Sequence, residues 1–459
     1  MRTLLLAALA ALVPVPLELF AADPPTNEPR PVPLTRPEMK QLLEDMKARK
    51  PRIPLPELTE DDKTKLGERG TGYESRLRYH YMPAAEGGAG RGSGFGFGPT
   101  GDEATLDNTF KVQLFWLVSR ANNCQYCQGH QESKLLRAGQ KEDQIAALDG
   151  DWTEFTVAEK TAFAFARKFT YEPHALSDAD VAGLRKHYKD AQILEMILSM
   201  AGNNAINRWK EGTGVPQSAG GGGFGKGKEP VDPPAKHSYL TPTSDKYKSI
   251  VTKVAPVAVN DTGEPTKLAV CKRPALESRE DVEKALAAAR KREPRLPLVA
   301  EDKARELLPA DYKGEVTQFV RLLATFPTAG KARVASQITA DAKTDLKPLL
   351  RAQVSWIIAR QDRAWYATAE AKARLTALGQ TDDQIYKLDG DWKEFTAKER
   401  SAFTLAKKLA ASPVVLTDDD VAEAVKQIGA RDTVQMIQYV TTRASFDRIT
   451  EAAGLRAEK

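Results

Sequence analysis

Residues Gly139–Lys168 read GQKEDQIAALDGDWTEFTVAEKTAFAFARK, and Gly379–Lys408 read GQTDDQIYKLDGDWKEFTAKERSAFTLAKK; aligned without gaps at an offset of 240, 18 of 30 positions are identical. That degree of self-similarity implies one domain written twice. The match runs on through Leu176-Ser177-Asp178 against Leu416-Thr417-Asp418, Met196-Ile197 against Met436-Ile437, and Arg208 against Arg448. Upstream, Arg52-Ile53-Pro54-Leu55 answers Arg295-Leu296-Pro297-Leu298 at a slightly different offset. These anchors place a first copy at 37–216 and a second at 275–459, with a Gly-, Pro- and Lys-rich linker over 217–274.

Both copies are expected to be all-α helical bundles. Helix formers dominate, and apolar residues recur at spacings of three and four, as in Phe163, Ala166 and Phe169, and again in Val421, Ala424, Val425 and Ile428. Ser177 with Asp180, and Thr417 with Asp420, have the spacing of N-terminal caps. The stretch 104–121 is apolar on most of its surface (Val112, Leu114, Phe115, Trp116, Leu117, Val118), which predicts the central helix of a bundle. The Asp-Gly-Asp-Trp corners at Trp152 and Trp392, and the pair Trp116 and Trp356, recur in both copies and are assigned to the fold.

The chain has 459 residues, 41% hydrophobic and 28% charged, enough to bury a sizeable core. A net charge of +5, scattered in both signs, lacks the clustered basic footprint of a nucleic-acid binder. Three cysteines exclude a dense disulfide framework. Met1 and Arg2, the apolar run Leu4–Val13, Pro14 and Pro16, then Ala21 and Ala22, have the pattern of a signal peptide over 1–22. The chain is therefore expected to be exported, periplasmic or extracellular. Its apolar run falls well short of the roughly 20 residues a membrane span needs, and no later stretch is longer, so no span is expected. Glycine density marks an insertion at 86–101 and a flexible stretch at 212–228. Gly220–Lys226 spells GGGGFGK, but Gly227 stands where a phosphate-binding loop needs Ser or Thr, and no strand leads in.

One cluster combines reactive residue types: Asn122-Asn123-Cys124-Gln125-Tyr126-Cys127-Gln128-Gly129-His130-Gln131-Glu132. With Asn123 as the N-cap, Cys124 falls in the first turn of a helix, where unpaired N–H groups and the dipole favour a thiolate. Cys127 follows one turn on, and His130 three residues further along the same face. Such a pair can close a redox disulfide while the imidazole takes or returns the proton. The same residues are also compatible with an inert disulfide, or with zinc held by both cysteines and His130, although no fourth ligand at finger spacing is present. Haem attachment needs His where Gln128 stands. No cofactor or metal is expected. His80, His174, His187 and His237 lie apart in sequence, and Cys271 stands alone as a free thiol.

The C-x-x-C with Tyr126 before its second cysteine, His130 soon after, the Leu176-Ser177-Asp178-Ala179-Asp180-Val181 run, and the closing Asn203-Asn204-x-x-Asn207-Arg208 with Gly214-Val215-Pro216 resemble the AhpD-like family, which comprises alkylhydroperoxidase D and the carboxymuconolactone decarboxylases. The resemblance covers about 110–216 and, more faintly, the matching span of the second copy. It implies an all-α helical bundle, a homo-oligomer, and reduction of a peroxide or disulfide substrate with electrons from a thiol donor that the sequence does not identify. Carried over by position, Cys127 attacks and Cys124 resolves; His130, one position before the family's His, is expected to substitute for it as the proton carrier. Gln131 occupies the position where the family places its His, Gln113 lies beside Val112 where the family places a relay Glu, and Tyr126 fills the third motif position; these three are read as supporting. The alternatives are a decarboxylase-like lyase and a non-catalytic binding or structural module. In the second copy Cys124 falls on Ala364, Cys127 on Ala367 and His130 on Glu370, so that copy is expected to be catalytically silent and to serve as a built-in partner subunit.

Overall fold

The computed structural model describes residues 27–67, 70–83, 98–217, 237–267, 269, 273–342 and 344–458. The leader over 1–22, most of the insertion at 86–101, the glycine run at 220–226 and Cys271 lie outside these described residues. Within them the fold is all-α, with helices and short 3-10 turns, no β-strand, and one isolated bridge between Val259 and Pro265. No described helix is long and apolar enough to cross a membrane.

In the first half the principal helices are α1 (Arg36–Asp45), α2 (Tyr73–Tyr81), α3 (Asn108–Ala121), α4 (Gln125–Arg137), α5 (Val157–Tyr171), α6 (Asp178–Arg185) and α7 (Asp190–Thr213). In the second they are α8 (Arg279–Ala289), α9 (Pro348–Asp362), α10 (Trp365–Ala377), α11 (Ala397–Ala410) and α12 (Asp418–Ala452). At the offset of 240, α3 corresponds to α9, α4 to α10, and α5 to α11. Helices α6 and α7 together correspond to α12, which is broken at Gly429, where φ is +84°.

Caps explain where these helices start. The Thr156 hydroxyl accepts from the Glu159 N–H while the Glu159 carboxylate accepts from Thr156, and Thr396 with Glu399 repeats the arrangement. Just upstream, the Asp-Gly-Asp-Trp corner places Trp152 and Trp392 in the left-handed region, at φ of +62° and +60°. Each indole N–H donates 2.8 Å to a carbonyl four residues back, Leu148 or Leu388, which tethers the turn. The corner therefore belongs to the fold, as its recurrence implied. Trp116 and Trp356, on α3 and α9, are completely buried.

The two halves meet through α7 and the C-terminal part of α12, and the contacts are reciprocal. Arg208 of α7 donates to the Ala410 carbonyl at 2.9 Å, and Arg448 of α12 donates at 3.2 Å to Thr170, the counterpart of Ala410. Arg52 bonds the Glu211 carbonyl of its own half (2.7 Å) and the Leu416 carbonyl of the other (3.3 Å), and pairs with Asp418. Arg295 does the same with the Glu451 carbonyl, with Leu176 (3.3 Å) and with Asp178 (2.6 Å). This is the self-complementary pattern of a two-fold dimer, formed within one chain.

Gly214, the left-handed C-cap of α7 (φ +67°), lies at this contact, and a Cβ there would come 2.7 Å from the Arg52 backbone nitrogen. Gly214→Ala is expected to cost about 1–3 kcal/mol through backbone strain and overpacking. A lowered urea midpoint with unchanged slope checks this.

The composition of 217–274 predicts a linker, but its described part packs onto the first half. Tyr239 is fully buried, the Thr252 N–H donates 2.8 Å to the Leu34 carbonyl, and the Thr252 hydroxyl bonds Asp149. Apolar anchors spaced among the prolines and lysines, Tyr239, Tyr247 and Val254, turn that tether into a strap.

Candidate functional site

Three residues, Asn122 to Cys124, turn the chain from α3 into α4. Asn123 takes the strained step at φ +57°, a conformation Asn tolerates better than most residues, and its amide donates to the carbonyls of Arg30 (3.1 Å) and Pro31 (3.2 Å). The N-cap is consequently Cys124 itself, not Asn123, with φ −93° and ψ 89°, and its carbonyl accepts from the Gln128 N–H at 2.9 Å. Cys127, not Cys124, occupies the first turn. The second half keeps the same turn, with Arg363 at φ +50° and Ala364 at −83° and 87°, so the fold needs the turn and not the sulfur.

Both cysteines are unlinked thiols, Cys124 at 0% and Cys127 at 3% exposure, packed with Met46, Tyr126 and Val215 and flanked by Tyr73 and Phe115. The two thiols lie within hydrogen-bonding reach of each other, and Cys124 also lies within reach of the carboxylate of Glu211 on α7. Burial first, then Cys127 and the Glu211 charge, push the Cys124 thiol well above its ordinary range. Burial works to raise Glu211 as well, but the guanidiniums of Arg49, Arg30 and Arg52 outweigh it and hold this carboxyl below its ordinary range. Arg49 reaches Glu211 at 3.1 Å and Arg30 at 3.8 Å.

Lys210, the neighbour of Glu211 on α7, serves the other sulfur. Lys210 and Lys134 both lie within electrostatic reach of Cys127. The Lys210 ammonium sits 4.5 Å from the centre of the Tyr126 ring and 3.4 Å from its hydroxyl, and is ion-paired with Glu74 of α2. Burial opposes charge on Glu74, yet Lys210 and Arg78 pull it down to about 2; Trp209 also donates to it at 2.7 Å.

His130 packs against Tyr126 in a tilted arrangement with ring centres 4.5 Å apart, and its Nδ1 has no hydrogen-bond partner. Burial, then the cations Lys210, Lys134 and Arg137, push it down to about 3. The imidazole is therefore neutral at physiological pH and supplies no positive charge to the sulfurs. Because the folded chain resists a proton here that the unfolded chain accepts, His130 makes folding less favourable as pH falls from its ordinary range toward 3. His130→Gln is thus expected to flatten the loss of thermal stability between about pH 6.5 and that value, measured as melting temperature against pH.

Tyr126 and Gln131 sit with the cysteines; the Gln131 amide donates to the Cys127 carbonyl at 3.2 Å, a structural bond within α4. Gln113 does not join them. It is buried on α3 beside a surface cleft lined by Thr105, Phe110, Glu159 and Tyr188, which includes neither cysteine. Among the described residues no group of three His, Cys, Asp or Glu is placed to hold a metal. In the second half, Ala364 and Ala367 are fully buried in a core cluster that also holds Phe319, Tyr366 and Phe446, with Phe319 and Phe446 4.8 Å apart and Phe446 5.7 Å from Tyr366. Glu370, at the position of His130, is neutralised by Arg443 (3.0 Å) and Arg374.

The site residues that reading the motif alone misses are Lys210, Glu211, Glu74, Arg49 and Arg30, all remote from it in sequence. Lys210 had a signal: its counterpart is Thr450, so the charge appears only in the half that carries cysteines. The sequence matches no protein-family profile and no curated protein.

Proposed function

We propose that the chain is a thiol–disulfide or peroxide reductase-like protein of AhpD-like type, exported, with its single thiol site in the first of two tandem copies. Cys127 attacks the peroxide or disulfide substrate; Cys124 then displaces the leaving group and closes the disulfide, and a thiol donor reopens it. The observation that carries this reading is the split of charge across α7. Lys210 lies within electrostatic reach of the attacking sulfur, while burial, together with Cys127 and the Glu211 charge, holds the resolving sulfur as a thiol until it is needed. The second copy supplies the dimer-like contact and not chemistry, and association of whole chains builds the expected homo-oligomer on other surfaces.

The non-catalytic reading has one observation in its favour, the near-complete burial of both sulfurs. Equilibration of the full chain with a dithiol buffer of varied redox ratio, with thiols counted at each point, separates the two. A reversible two-electron transition at an accessible potential is the expected result. A pair that neither opens nor closes across the range supports the non-catalytic reading instead.

A further inference from the structure

The guanidiniums beside the thiols outnumber the carboxylates that face them. Arg30, Arg49 and Arg52 face Glu211 and Asp418, and Glu211 also holds the Cys124 thiol. The matching corner of the second half is balanced: Arg292 pairs with Glu451 at 2.9 Å and Arg295 with Asp178 at 2.6 Å. The third arginine there, Arg273, matches Arg30 in sequence but is drawn away to Asp362 (3.5 Å). The counterpart of Asp362 in the first half is Asn122, uncharged and committed to Asn204 (2.9 Å) and Asn207 (3.0 Å). No anion at that position draws Arg30 off, so it turns toward the thiol pocket.

Its bonds there leave donors underused. Arg30 Nη1 donates to the thioether of Met46 at 2.8 Å, a weak acceptor that belongs to the same buried cluster as both cysteines. Arg49 is 8% exposed and its Nε is buried without a partner. Arg30 alone of the three keeps an appreciable opening, with its side chain 21% exposed. A part-exposed guanidinium backed by a second whose Nε is unpaired is suited to a planar oxyanion.

We propose that Arg30, with Arg49 behind it, receives the carboxylate of an anionic substrate whose disulfide or peroxide bond is presented to Cys127. This rests on the redox reading above and adds the chemistry of what the pair acts on. With a disulfide substrate, the Cys127 thiolate forms a mixed disulfide and expels one thiolate. Cys124 then displaces the second thiolate and closes the pair, its proton passing to Glu211 or solvent; the protein loses two electrons and the substrate gains them.

The test uses the reduced full-length chain and two aromatic disulfides, dithiobis-nitrobenzoate, with a carboxylate on each ring, and uncharged dithiodipyridine. Each rate is divided by that of a model thiol with the same reagent. The normalised ratio of anionic to neutral rate is expected to exceed one, to fall with added salt, and to drop roughly tenfold in Arg30→Gln while Arg30→Lys restores most of it. A ratio of one in the native chain, or one that Arg30→Gln leaves unchanged, overturns the anion site while leaving the redox reading intact. A ratio lost equally in Arg30→Lys shows a packing role and overturns it too. If neither reagent outpaces its model-thiol rate, the redox reading fails and takes this inference with it.

Discussion

Cys127→Ser is expected to abolish thiol-dependent turnover of peroxide or disulfide, a loss of roughly a thousandfold or more, because the other thiol of the pocket, Cys124, is fully buried and pushed by that burial well above its ordinary range. Cys124→Ser is expected to behave differently. Cys127 would react once, and the protein would then stall as a sulfenic acid or mixed disulfide for want of a resolving thiol. Intact mass after one equivalent of substrate distinguishes the two variants. An adduct on Cys124 in the Cys127→Ser chain, formed at the native rate, would reverse the roles assigned here.

Asp362→Ala is expected to produce the largest loss of stability. Asp362 and Arg448 are both fully buried and bonded at 2.8 Å, and Arg448 Nη2 donates across the contact between halves to the Thr170 carbonyl at 3.2 Å and within its own half to the Ser412 hydroxyl at 3.3 Å. Removing the carboxylate strands Arg448 in the interior and weakens the hold on Arg273, at a cost of about 3–5 kcal/mol. Asp362→Asn, which installs the residue the first half uses at Asn122, is expected to recover part of that cost. Urea unfolding of the two variants measures both; a loss below about 1 kcal/mol for Asp362→Ala would mean the buried pair contributes little to joining the halves.

The helical class was legible because the caps and apolar spacings are local. Ser177 with Asp180, and the stripe Phe163, Ala166, Phe169, need no tertiary information to specify a helix. The reciprocal contact between halves was legible only as recurrence. Arg52 and Arg295, Arg208 and Arg448 were visible as matched pairs, but nothing in sequence says that each one reaches into the other half. At the candidate site, the motif placed Cys124, Cys127, Tyr126 and His130 together. It misassigned the cap, because the left-handed step at Asn123 comes from the tight junction of α3 and α4, which a capping rule does not see. It also made His130 the proton carrier. The imidazole's state is set by burial first and then by Lys210, Lys134 and Arg137, and Lys210 comes from a helix far along the chain. Gln113 was chosen by counting back from the cysteines, whereas the carboxylate that meets Cys124 is Glu211, contributed by the last turn of α7.

The most direct test of the central claim is site-resolved alkylation of the reduced full-length chain by iodoacetamide, followed over pH by peptide mass spectrometry. Burial and Glu211 hold Cys124 as a thiol while Lys210 and Lys134 face Cys127, so Cys127 should label first and Cys124 only well above neutral pH. Lys210→Met should slow the labelling of Cys127, and His130→Ala should leave its pH dependence between about 5 and 8 unchanged. Equal labelling of both cysteines, at no more than the rate of a model thiol, would contradict the account and leave the fold without the chemistry.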